Sequence, residues 1–290
     1  MVATDFLSDP QVRRWLGGVE PAWTLLTFDS LRELRREPSA GQSAIRIAND
    51  LRADELAGSA VARNTFIFLQ EAVERDGLPL TATGNLTRAV VSEMCKLIDW
   101  PDYDQADAFR FSKVINEPDF LPLHVVRILA QSAQLVRSQR GRLVVTPIGE
   151  SMLSEGRAGS LPAILLHLMF WHMDLGYFGP APGAWPQPHI GVVLWSLSVS
   201  AGDWQSSEKL TRLCTIPDPT LLTGTWDRSV FAMETRVLRP LLWFGLLEHR
   251  KESIPDNQYA TMRNYYRNAA LFNRLLTFEV ELESPQEPRR

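Results

Sequence analysis

The phrase Leu-x-apolar-Thr-x-x-Gly occurs twice in this chain, as Leu78-Pro79-Leu80-Thr81-Ala82-Thr83-Gly84 and as Leu143-Val144-Val145-Thr146-Pro147-Ile148-Gly149. Each copy follows a stretch with helical apolar spacing and a charged turn. The apolar residues before the Thr suit a short strand, and the Thr hydroxyl can cap the helix that follows. Pro147 falls where a first helical residue tolerates proline, and Gly at the third helical position leaves no side chain between helix and sheet. This is the return of a hairpin into a helix, as in the wing of a winged-helix domain. A weakened third copy follows a helical, apolar stretch from Met233 to Glu248. There Glu248 to Ile254 reads as a strand, Pro255-Asp256-Asn257 as a turn and Gln258 to Thr261 as the return strand, with Asn264 in place of the Gly.

The spacing between these phrases predicts helices. Trp15, Leu16, Trp23, Leu25, Leu26, Phe28, Leu31 and Leu34 among arginines indicate short helices packed as an N-terminal arm over residues 1–40, with Pro38-Ser39-Ala40-Gly41 as linker. Ala62, Phe66, Leu69 and Val73 recur at helical spacing from Ala60 to Arg75, and Gly77 stops that helix. Leu86, Val90, Met94, Leu97 and Ile98 mark the next helix, and Leu123, Val126, Ala130 and Ala133 a third that leads into the basic turn Arg137 to Arg142. The expected fold is therefore mainly α: repeated winged-helix-like units with short β-hairpins and an N-terminal helical arm. The first unit spans 41–115, the second 116–180 with an apolar helix, and a C-terminal helical, winged-helix-like unit 181–280, before a flexible tail over 281–290.

Composition and motifs weigh against several function classes. The 290 residues carry a formal charge of −4, so any polyanion site must be a local patch. Cys95 and Cys214 lie far apart, which fits a reducing cytosol better than a disulfide or zinc framework. The N-terminus lacks a basic segment followed by an apolar run, so the expected location is the cytoplasm. Leu161 to Phe178 is apolar but broken by Pro162, His167, His172 and Asp174, which reads as a buried helix rather than a membrane span. No Gly-x-Ser-x-Gly elbow, phosphate loop or dinucleotide fingerprint is present, so no cofactor and no catalytic residue is assigned. Among the metal-capable His167, His172, Asp174 and His189, His167 and His172 are five apart, unlike the zincin spacing, and read as bordering an apolar core with Phe170 and Trp171, so no metal is expected. The acidic run Asp99, Asp102, Asp104, Asp107 lacks the Gly and distal Glu of a calcium loop.

Glu74 to Leu86, with its Leu80-Thr81-Ala82-Thr83-Gly84-Asn85-Leu86 core, resembles a Leu-Thr-x-x-Gly-Asn-Leu segment of uncharacterised bacterial proteins found on plasmids and as transposon passengers. The resemblance runs from about Phe66 to Phe278. It implies a second helix-and-wing unit over Phe120 to Leu153 and an association with mobile elements. It transfers no enzymatic residue.

Two interaction surfaces follow from the residue types. Arg137, Arg140 and Arg142 on the expected wing suit phosphate contacts, and Arg127 and Gln131 on the preceding helix, beside His124, Ser132 and Gln134, are base-reading types. The same residues also suit a solvated hairpin and an ordinary exposed helix face. Of the tryptophans concentrated in the C-terminal half, Trp185 and Trp204 fall in loops and suit partner anchoring. The leading expectation is a non-enzymatic, DNA-associated or regulatory protein acting on duplex DNA. The alternative is a winged-helix scaffold that binds a protein partner or itself, without direct DNA contact.

Overall fold

The computed structural model describes residues 7–39, 43–103, 115–179, 183–222, 227–253 and 262–283. In chain order the N-terminal stretch forms α1 (Pro10–Leu16), a 3-10 turn (Ala22–Leu25), α2 (Phe28–Leu34) and β1 (Ile45–Ile47). The middle forms α3 (Ala53–Leu56), α4 (Ala60–Glu74), β2 (Leu78–Pro79), α5 (Arg88–Leu97), α6 (Leu121–Ser132), β3 (Val136–Gln139), β4 (Arg142–Val145), α7 (Pro147–Met152), α8 (Glu155–Ala158) and α9 (Leu161–His167). The C-terminal part forms α10 (Ile190–Ser200), β5 (Gln205–Ser206), α11 (Ser207–Cys214), α12 (Arg228–Met233), a π-turn (Glu234–Leu238), α13 (Arg239–Trp243), β6 (Leu247–Ser253), β7 (Met262–Asn268), α14 (Ala270–Leu275) and β8 (Leu276–Phe278). The fold is mainly α with small antiparallel sheets. Two compact units result, one from 48–169 with 243–245, the other from 1–47, 170–242 and 246–290.

In the 48–169 unit, Ser59 starts α4 by accepting the Ala62 N–H at 3.3 Å. The helix buries Val61, Thr65, Phe68, Leu69 and Ala72, whereas Val73 is exposed and Phe66 half-buried. Of the predicted stripe, Ala62 and Leu69 are buried, and the buried side of the helix is shifted toward Phe68 and Ala72 and away from Phe66 and Val73. α4 ends with Asp76 and Gly77 at φ 50° and 91°, and Gly77 N–H closes on the Ala72 carbonyl at 2.7 Å. α6 ends alike, with Gln134 at φ 57° and Leu135 N–H on the Ala130 carbonyl at 2.8 Å. After each reversal a buried Leu, Leu78 or Leu135, leads into a strand.

The strands assemble as β2-β4-β3, with Leu78 opposite Leu143 and Val136 opposite Val145. The two Thr-x-x-Gly phrases therefore supply adjacent strands of one sheet. They continue differently. Thr146 accepts the Gly149 N–H at 3.1 Å and Pro147 opens α7, as the sequence predicts. Thr81 caps no helix. Leu80 bridges Leu86, Gly84 sits at φ 84°, and α5 begins only after Thr87. Pro147 presets helical φ in the second phrase, while Gly84-Asn85 favours a turn in the first.

The second unit repeats the same order of elements. α10, β5, α11, the stretch from α12 to α13, β6 and β7 correspond to α4, β2, α5, α6, β3 and β4, and the sheet order β5-β7-β6 matches β2-β4-β3. Gly245, an αL glycine at φ 73° that belongs to the 48–169 unit, precedes the buried Leu246 and Leu247, the latter the first residue of β6. The return strand is Met262–Asn268, with Asn264 inside it, later than the expected 258–261. Residues 258–261 and the expected turn at 255–257 lie outside the described residues, as do Asp104 and Asp107.

The N-terminal helices belong to this unit instead of forming a separate arm. β1 pairs with β8, Trp23 donates to the Thr215 carbonyl at 2.9 Å, and Trp15 to Asp227 at 3.0 Å. α10 packs directly on α2: a Cβ at Gly191 would lie 2.0 Å from the Leu34 carbonyl oxygen. Glu281 to Glu283, expected in a flexible tail, instead pair with the Leu25–Thr27 backbone, and residues 284–290 lie outside the described set. No helix among the described residues is long and apolar enough to cross a membrane.

Gly149 tests how α7 seats on the sheet. A Cβ there would meet the Leu135 carbonyl oxygen at 2.2 Å, whereas one at Gly156 meets nothing within 4 Å. Gly149→Ala is expected to cost about 1–3 kcal/mol and lower the melting temperature by several degrees. Gly156→Ala, in a helix, should leave it unchanged or raise it.

Candidate nucleic-acid interface

The β3–β4 hairpin turns through Arg140 and Gly141, both left-handed at φ 50° and 73°. A two-residue turn with both central residues at positive φ is the tightest connection compatible with strand twist. Alternation then sorts the side chains. Val136, Ser138, Leu143 and Val145 share the face that carries the buried Val136 and Leu143, while Arg137, Gln139, Arg142 and Val144 share the outer face.

The three arginines expected on this hairpin have different fates. Arg142 is committed to the fold: its Nε donates to the Asp76 carbonyl at 2.8 Å, and Nη2 to those of Arg75 at 2.7 Å and Gly77 at 2.5 Å. It thereby covers the carbonyls where α4 ends, a position that favours a cation. Arg137 and Arg140 are exposed and make no hydrogen bond or ion pair with a described residue. They are the cations this hairpin offers to a ligand.

The helix before the hairpin is not available in the same way. α6 buries Leu123, Val125, Val126, Leu129 and Ala130 on several sides, which leaves Gln131 half-buried and only Ser132 exposed. Arg127, expected at a reading face, lies inside. Its guanidinium pairs with the buried Glu117 carboxylate, and Nη2 donates to the Gly84 carbonyl at 2.6 Å. His124 is likewise turned to Glu117, with Nδ1 at 3.4 Å.

Glu117 is the centre of this arrangement and escapes sequence reasoning. Its carboxylate also accepts the Leu86 N–H at 2.6 Å, so one buried side chain joins the Thr81–Leu86 loop to α6. Burial acts to raise its pKa, but hydrogen bonds from His124, Arg127 and the Leu86 amide outweigh burial and hold it below the ordinary carboxylate value. Beside it opens a cleft of about 580 Å³ walled by Thr81, Thr83, Asn85, Arg88, Asn116 and Asp119. These groups supply hydrogen bonds and charge.

In the other unit, the two tryptophans expected to anchor partners are occupied. Trp185 is buried, donating to the Ile216 carbonyl at 2.8 Å, and its own carbonyl accepts from the buried Arg236. Trp204 lies under the guanidinium groups of Arg250 and Arg267, at 4.6 and 4.8 Å from its ring. Of the histidines, His172 pairs with Glu37 at 2.7 Å, whereas the buried Nδ1 of His189 has no hydrogen-bond partner among the described residues.

With this geometry in place, residues 57–158 match the family model described as the Y4jL N-terminal domain. The chain is also 33% identical over 114 residues to the "Uncharacterized protein y4jL" of Sinorhizobium fredii (strain NBRC 101917 / NGR234), over 39% of this chain and 51% of that protein. The central segment thus resembles an uncharacterised bacterial family. The chain spans about half the length of this curated relative. No solved structure matches it. The matched segment contains α4 to β4, the Glu117 cluster and the arginine hairpin.

Glu117→Ala strands a buried guanidinium and should cost about 3–5 kcal/mol, while Glu117→Ala with Arg127→Leu should recover much of that loss in urea unfolding. Burial, helped by Arg35, pushes His189 down to about 4 from 6.5. Its neutral form is favoured in the fold, so its contribution is complete above pH 6.5 and falls away as pH drops toward 4. His189→Phe should flatten the decline of the unfolding midpoint across that window.

Proposed function

We propose that both repeats are winged-helix-like units and that the chain is a non-enzymatic, DNA-associated regulatory protein contacting duplex phosphates through Arg137 and Arg140. The order helix, strand, helix, helix, strand, strand, with the first strand beside the third, supports the winged-helix reading. The observation that carries the DNA reading is a pair of exposed arginines without a partner among the described residues, Arg137 on β3 and Arg140 in the two-residue turn, on a hairpin braced from behind by Arg142. Burial of α6 favours backbone contact over base reading, so binding should tolerate sequence. Such tolerance suits the association with mobile elements that the family resemblance implies.

Two phosphate contacts set the expected scale. The logarithm of affinity for mixed-sequence duplex DNA should fall with the logarithm of salt at a slope near −2, since each neutralised phosphate contributes about −0.9. In fluorescence anisotropy, Arg137→Gln with Arg140→Asn should abolish most of that slope. Asn accepts the left-handed position that Arg140 occupies, so the hairpin is retained. An unchanged affinity and slope in this variant would refute the proposal.

A further inference from the structure

β6 is the outer strand of β5-β7-β6, and among the described residues it pairs only with β7. Its residues Arg250 to Ser253 are exposed and Glu248 and His249 half-buried, so its other edge is available over 248–253 for about 20 Å of strand addition. Charged edge strands resist indiscriminate pairing, and the order of charges then selects the partner. We propose that this edge pairs antiparallel with the same edge of a second copy of the chain, in a twofold register centred on His249. The inference is independent of the DNA reading.

Strand geometry and charge select that register. Residues facing one another across antiparallel strands point to the same side of the sheet, so a twofold axis must pass through a residue that faces itself. Centring on Glu248, Arg250, Lys251 or Glu252 places that charged residue against its own copy. Centring on Arg250 also sets Glu248 against Glu252 twice. Centring on His249 places Glu248 against Arg250 of the other copy twice and Leu247 against Lys251, with no like charges opposed. Opposite charges in facing positions stabilise a strand pair and like charges destabilise it. The same rung already holds Arg267, whose guanidinium meets Glu248 at 2.6 Å, so pairing extends an existing ladder to Arg267, Glu248 and the second copy's Arg250.

Light scattering on the full chain across a concentration series tests this. The wild-type mass should rise from 32.8 kDa toward twice that value. Glu248→Arg alone and Arg250→Glu alone each create two like-charge pairs and should weaken the dimer at least tenfold. An equimolar mixture of the two variants restores two opposite-charge pairs and should again form a dimer, which also shows that both variants are folded. A wild-type mass fixed at 32.8 kDa, undiminished dimerisation of both single variants, or a mixture that stays monomeric would each overturn the proposal.

Discussion

The arginine hairpin owes its placement to Arg142. Three backbone carbonyls at the end of α4, those of Arg75, Asp76 and Gly77, converge on one guanidinium. Those carbonyls lack partners within the helix, and an arginine supplies donors in a fixed plane that match them. The neighbouring strands agree with this arrangement. A Cβ at Gly77 would approach Val144 Cγ1 to 2.8 Å, so α4 and the hairpin come together only because Gly77 has no side chain. One basic residue is thus consumed in fixing the hairpin, while Arg137 and Arg140 are presented by it. Charge count alone treats all three as equal, and the backbone carbonyls make the distinction.

Much of the local structure was legible from sequence. The Thr146 cap, Pro147 at the first position of α7 and the close approach at Gly149 follow from residue type, because each depends on neighbours within a few positions. Helices over 60–74, 88–97 and 121–132 follow from apolar spacing. What was not legible depends on residues far apart. Leu78 faces Leu143, Ile45 faces Phe278, and Arg142 reaches Arg75, and none of these pairings leaves a local signal. The first Thr-x-x-Gly phrase looks like the second, yet it forms a loop, because Ala82 stands where Pro147 starts a helix and Gly84 takes a left-handed turn where Gly149 is helical.

The candidate site divides along the same line. Arg137 and Arg140 were recognisable as exposed residues of a basic run, although Arg137 stands on β3 and only Arg140 in the turn. Arg127 and Trp185 look equally exposed in sequence, Arg127 on the polar side of a helix and Trp185 in a Pro-Gly loop. Each is drawn inside by a partner remote in sequence, Glu117 for Arg127 and the Ile216 carbonyl for Trp185. Glu117 itself carries no sequence mark, since a lone Glu beside Pro118 and Asp119 reads as surface. Its importance lies in its burial, which makes its bonds to Arg127 and Leu86 expensive to break. The repetition of one element order in both units was legible only through the hairpin phrases, since the two sequences share little beyond a helix end followed by Leu.

The most direct test of this account is amide hydrogen exchange of the full chain with and without mixed-sequence duplex DNA at low salt. Contact led by the arginine hairpin predicts added protection over Arg137 to Arg142, with α6 unchanged. Protection concentrated in α6, or no change in the hairpin under conditions where DNA is bound, would contradict it.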